Sequence, residues 1–339
     1  MKKFITIGLL VLFTMLLAGC DTSTGKEIKV ATPSNSGALQ VVGSTLCDSE
    51  GNQVILRGLS THGIAWFPEY VNEEAFKEFK EEWGINVIRL AMYTAENDGY
   101  CTDGDQEKLK NMIRKGVEYA TKNDLYVIID WHVLNDNTPL TYKDEAIAFF
   151  HEMSREYAAY SNVIYEICNE PCNGTTWQDI KSYANEVIPV IRSNDKDAII
   201  IVGTPQWSQL IGEAAADPIT EYNNIMYALH FYAATHKDWL RNDMKDAIKK
   251  GLPIFVTEYG IGDASGEGGI DEAQAQKWIE LMNKNGVSYC GWNISNKEES
   301  LALFKPECSK TSGWTTEDLS PCGKWMYDML REWNLGIEE

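Results

Sequence analysis

From Gln53 onward the chain is punctuated by eight short apolar runs: QVILRG from 53, NVIRLAMY from 86, LYVIIDWH from 125, VIYEICNE from 163, AIIIVGTP from 198, NIMYALHFY from 224, PIFVTEYG from 253 and VSYCGWN from 287. These runs are nearly continuous in apolar residues rather than strictly alternating, as strands of a parallel sheet covered by helices must be. Between them the period becomes helical. Leu109, Met112, Ile113, Gly116, Val117 and Ala120 share one helix face, and Ala146, Phe149, Phe150, Met153, Tyr157 and Tyr160 another. Asn72 before EEAF and Asp271 before EAQA are helix-start signals. Eight strand and helix units in one domain-sized span predict a closed (β/α)8 TIM barrel forming a single domain. The rival doubly wound sheet lacks a glycine fingerprint after its first strand, and the units share a pattern but no repeated motif, which excludes a solenoid.

Ahead of these units stand Lys2 and Lys3, an apolar run from Phe4 to Leu17, and Leu17, Ala18, Gly19, Cys20. The segment is too short and too early for a spanning helix and reads as an export signal. Its end resembles a bacterial lipoprotein signal, which implies a signal peptide over 1–19, lipid on Cys20, and anchorage at the cell envelope or surface. Residues 20–38 are polar and small, the composition of a tether, leaving 39–339 as the (β/α)8 domain. Seven cysteines remain besides Cys20, an odd number that leaves at least one thiol unpaired; Cys308 and Cys322 bracket a loop that one disulfide could close.

Composition narrows the partners. Acidic residues outnumber basic ones 50 to 30, for a net charge of -20, and no dense Lys/Arg block follows a phosphate backbone. Nucleic acid and strongly anionic polysaccharides are excluded on that ground, and neutral substrates remain. With 11 Trp and 16 Tyr the chain is equipped to stack on flat uncharged molecules such as sugar rings, although aromatics also build cores.

Polar residues gather at the carboxyl ends of the predicted strands, where a barrel keeps its chemistry. Run by run these are His62 and Trp66; Arg89 and Tyr93; Asp130, Trp131 and His132; Asn169 and Glu170; Trp207; His230 and Tyr232; Glu258 and Tyr259; Trp292 and Asn293. Glu170 and Glu258 end the fourth and seventh runs and so could face each other across the barrel mouth. Hydrolysis of a glycosidic bond needs such a pair, one carboxyl to protonate the leaving oxygen and one carboxylate to attack or to activate water. The competing reading makes either glutamate an outer carboxylate paired with Arg89, and Arg89 itself a structural ion pair with Asp130 or Glu166. His151 and His236 fall in predicted helical stretches and read as surface residues. No closely spaced His pair suits zinc, so no metal or organic cofactor is expected.

VIYEICNEP around Glu170, HFYA around His230 and Tyr232, PIFVTEYG around Glu258, and WNISNKEESLAL from Trp292 together resemble glycoside hydrolase family 5, specifically its secreted bacterial endoglucanases, over Leu39 to the C-terminus. The resemblance implies a retaining endo-β-1,4-glucanase with Glu170 as acid/base and Glu258 as nucleophile. It further implies that Asn169 binds the sugar 2-hydroxyl, that Tyr232 hydrogen-bonds the nucleophile, and that Arg89, His132 and His230 surround the two carboxylates. His62, Trp66, Tyr93, Trp292, Lys297 and Glu299 would shape the non-reducing-side subsites, and Trp207 a platform on the leaving-group side. A β-glucan polysaccharide or oligosaccharide is then the partner and a monomer the expected state. Mannan, xyloglucan or mixed-linkage glucan specificity on the same fold is the near alternative, and a non-catalytic sugar-binding lipoprotein the distant one. With no carbohydrate-binding module after the barrel, soluble or amorphous glucan is expected over crystalline fibres. Cys168, where relatives usually carry alanine, should by strand alternation point as Glu170 does, one layer deeper, as an inert barrel filler.

Overall fold

A computed structural model describes residues 30–337. The signal peptide and Cys20 lie outside these residues. In chain order the first half contains α1 (Pro33–Ser36), β1 (Gln40–Val42), β2 (Thr45–Cys47), β3 (Arg57–Thr61), α2 (Glu73–Glu81), β4 (Val87–Tyr93), α3 (Gln106–Lys122), β5 (Tyr126–His132), α4 (Lys143–Tyr157) and β6 (Val163–Glu166). The second half contains α5 (Trp177–Asn194), β7 (Ile200–Val202), the short turns α6 (Pro205–Ser208) and α7 (Ile211–Ala216), β8 (Ile225–Tyr232), α8 (Asp238–Lys249), β9 (Ile254–Gly260), α9 (Glu272–Asn285), β10 (Ser288–Ile294) and α10 (Pro321–Leu335).

Strands β3 to β10 pair in parallel in sequence order, and β10 closes on β3. The closed (β/α)8 barrel read from the periodicity is the fold. All eight runs supply a strand, but the first does so only at its end, since β3 begins at Arg57 rather than Gln53. Both helix starts hold, with Asn72 Oδ1 accepting from Ala75 N at 2.8 Å and Asp271 Oδ1 from Gln274 N at 3.1 Å. The α3 face is buried as its spacing requires. On α4 the face ends at Tyr157, and Tyr160, beyond the last turn, is exposed.

Two apolar layers result. Outward strand residues such as Ile88, Leu90, Val127 and Ile129 pack under the helices with Phe76, Ile113, Val117 and Phe149. Inward residues Val87, Tyr126, Ile128, Ile164, Ile201, Met226, Ala228, Phe255 and Cys290 fill the lower barrel. That inner cluster continues into Ala31, Leu39, Leu46, Val54 and Leu56, so the segment before β3 plugs the amino end of the barrel. Here the tether boundary at 38 is corrected. Ala31 and Ser36 are buried, Asn86 Nδ2 donates to Ala31 O at 3.0 Å, Tyr126 Oη donates to Gly37 O at 2.7 Å, and Ser34 N donates to Asp124 at 2.8 Å. A polar, proline-containing stretch looks like linker by composition, yet its backbone groups are what the barrel floor needs as partners.

Strand alternation fails at two places that matter. After Glu166 the fourth barrel strand ends, and Ile167 and Cys168 both join the helix-side layer. Cys168 is buried but does not sit beneath Glu170 inside the barrel. In β9 the register against β8 slips between Ala228 paired with Phe255 and His230 paired with Glu258. The extra residue of this bulge lets Thr257 and Glu258 both face inward, whereas strict alternation from Phe255 would turn Glu258 toward the helices. All seven described cysteines are free, Cys308 and Cys322 included.

Candidate active site

The carboxyl ends of the strands surround a cleft of about 590 Å³. Ten of the residues singled out from the sequence line it: His62, Tyr93, His132, Glu170, Trp207, Tyr232, Glu258, Trp292, Lys297 and Glu299. Arg89, Asn169 and His230 lie beneath, fully or almost fully buried, and Trp66 stands at the rim, stacked on His62 at 5.4 Å with its indole nitrogen donating to Asn97 O.

At the floor, Arg89 ties four strands together. Its Nε donates to Glu166 Oε2 at 2.7 Å and Nη1 to Glu258 Oε2 at 3.1 Å, while Nη2 reaches Asn169 Oδ1 at 2.6 Å and Asp130 Oδ2 at 2.9 Å. The two readings of Arg89 merge, because it pairs with Glu166 and Asp130 and also holds Glu258. Glu258 accepts a second bond from Tyr232 Oη on Oε1 at 2.5 Å. Glu170 Oε1 meets His230 Nδ1 at 2.8 Å, and His230 Nε2 continues through Thr257 Oγ1 at 2.9 Å to Glu166 Oε1 at 2.7 Å. Asn169 donates through Nδ2 to Val133 O at 3.1 Å.

Burial favours the neutral form of Glu170, and the charge of Glu258 adds to it, pushing the Glu170 carboxyl up to about 7. Burial acts on Glu258 in the same sense, but His230, Arg89 and the Tyr232 hydroxyl together outweigh it and hold that carboxyl below the usual range. His230 is raised to about 9 although burial opposes its charge, because the Glu166 carboxylate lies 3.8 Å from Nε2 and Glu170 is hydrogen-bonded at Nδ1. Burial lowers His132 to about 3, with Arg89 helping, so its ring is neutral; it stacks on Trp292 at 5.5 Å with Nδ1 against Asp130 Oδ2 at 2.6 Å.

One oxygen from each of Glu170 and Glu258 and a ring nitrogen of His230 lie within 4.8 Å of one another. A metal ion there would compete with Arg89 and His230, cations already seated on the same carboxylates, which is poor chemistry for a dication. The nearest oxygens of the two carboxyls, within 4.8 Å, suit the separation of about 5 to 5.5 Å in retaining glycosidases rather than the roughly 6.5 to 9.5 Å of inverting ones.

Trp207 reaches the cleft from an unusual backbone. Gln206, Trp207 and Ser208 are all left-handed, with φ of 59°, 57° and 55°, a conformation costly for residues with side chains. The turn is secured by Trp207 N donating to Pro171 O at 3.0 Å and Ser208 Oγ to Asn169 O at 2.7 Å. The indole is thus fixed to the segment that carries Glu170.

Reading the sequence missed Leu134, Gln209, His236, Ala264, Ser265, Gly266 and Leu301, which also line the cleft. His236 is corrected from surface to interior. It precedes α8 in the turn after β8, is buried, and accepts from Tyr232 N at 2.8 Å. His151 is exposed on α4 as expected. Most of the missed residues lie on loops without motif or period; Leu301 falls inside the WNISNKEESLAL stretch, and His236 follows HFYA by three residues.

The family model described as Cellulase (glycosyl hydrolase family 5) matches residues 47–298. Endoglucanase A of Butyrivibrio fibrisolvens is 52% identical over 87% of this chain and 69% of its own length, and an endoglucanase of Clostridium saccharobutylicum is 48% identical over 95% and 70%. Among solved structures, the catalytic domain of a Thermobifida fusca endoglucanase Cel5A variant in complex with cellotetraose superposes with a TM-score of 0.84 at 40% identity, covering 89% of this chain and 100% of that one.

Proposed function

The chain belongs to glycosyl hydrolase family 5, and from that premise we propose that it is a retaining endo-β-1,4-glucanase in which Glu258 is the nucleophile and Glu170 the acid/base. The observation that carries this reading is the pair itself: two carboxyl groups with oxygens within 4.8 Å of each other in the cleft, one biased toward its proton and the other toward its charge. In the first step a Glu258 oxygen attacks the anomeric carbon while the Glu170 proton passes to the glycosidic oxygen, the C–O bond breaks, and the leaving chain departs as an alcohol. In the second, Glu170, now a carboxylate, takes a proton from water as the water oxygen attacks the same carbon and frees Glu258. Two inversions give net retention. Arg89 and Tyr232 keep Glu258 ionised and aimed, and His230 holds Glu170. Asn169 has one amide hydrogen left for a sugar 2-hydroxyl after binding Val133 O.

Around that centre, His62, Tyr93, Trp292 and the Lys297–Glu299 pair, joined at 2.7 Å, wall one side and Trp207 the other. Flat rings and neutral hydrogen-bonding groups suit glucosyl units. Glu258→Gln should abolish hydrolysis while leaving cello-oligosaccharide binding measurable by calorimetry; undiminished turnover would sink the assignment. A panel of carboxymethylcellulose, lichenan, xyloglucan and glucomannan, with the first-formed anomer followed by NMR, tests both specificity and retention. Predominant rates on glucomannan or xyloglucan would move the specificity to that glucan, and an α-anomer product would overturn the double displacement.

Export and anchorage through lipid on Cys20 form the second part of the proposal, supported by the Leu17 to Cys20 sequence behind an apolar run. Cys20→Ala should shift the enzyme from the membrane fraction to the soluble fraction of expressing cells; an unchanged distribution would count against the anchor.

A further inference from the structure

Two buried carboxylates outside the cleft remain unused by this mechanism. Glu96 follows β4 and Asp136 follows β5; they are 5% and 8% exposed, and neither lines the cleft. Among the described residues neither has a basic partner. Burying a carboxylate without a counter-ion is expensive, so such groups are retained where they hold something in place.

What they hold is the loop from Val133 to Asn137. Asp136 Oδ1 accepts from Leu134 N at 2.8 Å, and Oδ2 accepts from Thr94 Oγ1, at the end of β4, at 2.8 Å. Glu96 Oε1 accepts from Asn135 N at 3.0 Å. The loop is thereby pinned to the segment after β4 at Asn135 and Asp136, and its own turn is closed by the Leu134 to Asp136 bond. Its other side carries the fourth strand's terminus. Val133 O accepts from Glu170 N at 3.0 Å and from Asn169 Nδ2 at 3.1 Å, Trp131 O accepts from Asn169 N at 3.2 Å, and Asn137 O accepts from Cys172 N at 2.8 Å. Because β6 ends at Glu166, the Asn169–Glu170 pair is held on this side not by a regular ladder but by the first three of these bonds, with Cys172 fastened just beyond it.

We infer that Asp136 is a positioning residue for the acid/base carboxyl: acting through Leu134 and Thr94, it fixes the loop on which the backbone of Glu170 hangs. The inference rests on Glu170 being the acid/base. Glu96 reinforces the same loop one residue further on.

Loss of position should weaken proton delivery in particular. A leaving group that departs as a stable anion needs no proton, whereas a poor one does. The test therefore compares kcat/KM on 2,4-dinitrophenyl and phenyl β-cellobiosides for the full chain carrying Asp136→Ala, Thr94→Val or Glu170→Ala, with Tm measured alongside. For Asp136→Ala we expect kcat/KM on the phenyl glycoside to fall about 10- to 100-fold, the scale of a misplacement of about 1 Å, with a fall of less than about threefold on the dinitrophenyl glycoside. Thr94→Val should move in the same direction by a smaller factor, and it carries the test alone should Asp136→Ala fail to fold. Equal losses on both substrates, or no loss, in the folded variants would overturn the positioning role if Glu170→Ala does discriminate between leaving groups. Absence of discrimination in Glu170→Ala would overturn the acid/base reading instead.

Discussion

His230 bears on both catalytic carboxyls at once, and this gives the pH profile a distinctive handle. With its folded pKa at about 9, the ring is charged over the neutral range. Its hydrogen bond and charge draw Glu170 down toward about 7 against the raising effect of burial and Glu258, and its charge is the largest influence opposing burial at Glu258. The proposed double displacement requires Glu170 protonated and Glu258 ionised. The alkaline limb of kcat/KM should therefore follow loss of the Glu170 proton near pH 7, and the acid limb protonation of Glu258 below the usual carboxylate range. Replacing His230 by Asn removes a positive charge beside both. Each carboxyl then holds its proton more tightly, so both limbs should move to higher pH, the alkaline one by about one unit or more. Stopped assays on phenyl β-cellobioside from about pH 2.5 to 10 would measure this. A shift of either limb to lower pH would contradict the electrostatic account.

At the scale of elements, the site is assembled where regular structure stops. Strand β6 ends four residues before Glu170, β9 bulges just before Glu258, and Trp207 rides a left-handed turn. Alternation and propensity describe the ladders well and describe these departures not at all, which is why Cys168 and His236 were misplaced while the α3 face and both helix caps were legible. Gly203, at the end of β7, shows how tight the joint is. A Cβ there would come within 2.3 Å of Cys168 O and 3.1 Å of Asn169 O, backbone atoms with little room to retreat. Gly203→Ala should push the segment carrying Glu170 and cost about 1 to 3 kcal/mol of stability, as overpacking generally does, together with a loss of kcat. Denaturant unfolding and steady-state rates check both, and a variant with wild-type stability and rate would show that the segment yields freely.

For the molecule as a whole, the barrel is stoppered at one end and open at the other. The segment from Ala31 to Leu56 covers the amino end with apolar side chains and hydrogen-bonded turns, leaving the carboxyl end as the face where a polymer chain can lie. A net charge of -20 disfavours anionic chains over the entire surface, while the buried carboxylates of the cleft floor are balanced internally by Arg89 and His230. An anchor at Cys20, ahead of a domain that begins by residue 30, would leave fewer than a dozen residues of free tether. Such an anchor would hold the enzyme close to its envelope, with less reach than a linker running to 38 would give.

The sequence by itself determined the eight-unit barrel and the family, and it singled out the two strand-end glutamates and most of the residues that line the cleft with them, because apolar periodicity and short strand-end motifs are local properties. Only the tertiary structure decided that the domain starts by residue 30, that Glu258 faces the cleft by way of a bulge, that Cys168 packs under the helices, that His236 is interior, and that Asp136 and Glu96 fasten the loop behind Glu170. Each of these depends on which backbone groups find partners across the fold, and hydrogen bonds between residues tens of positions apart leave no period in the chain to read.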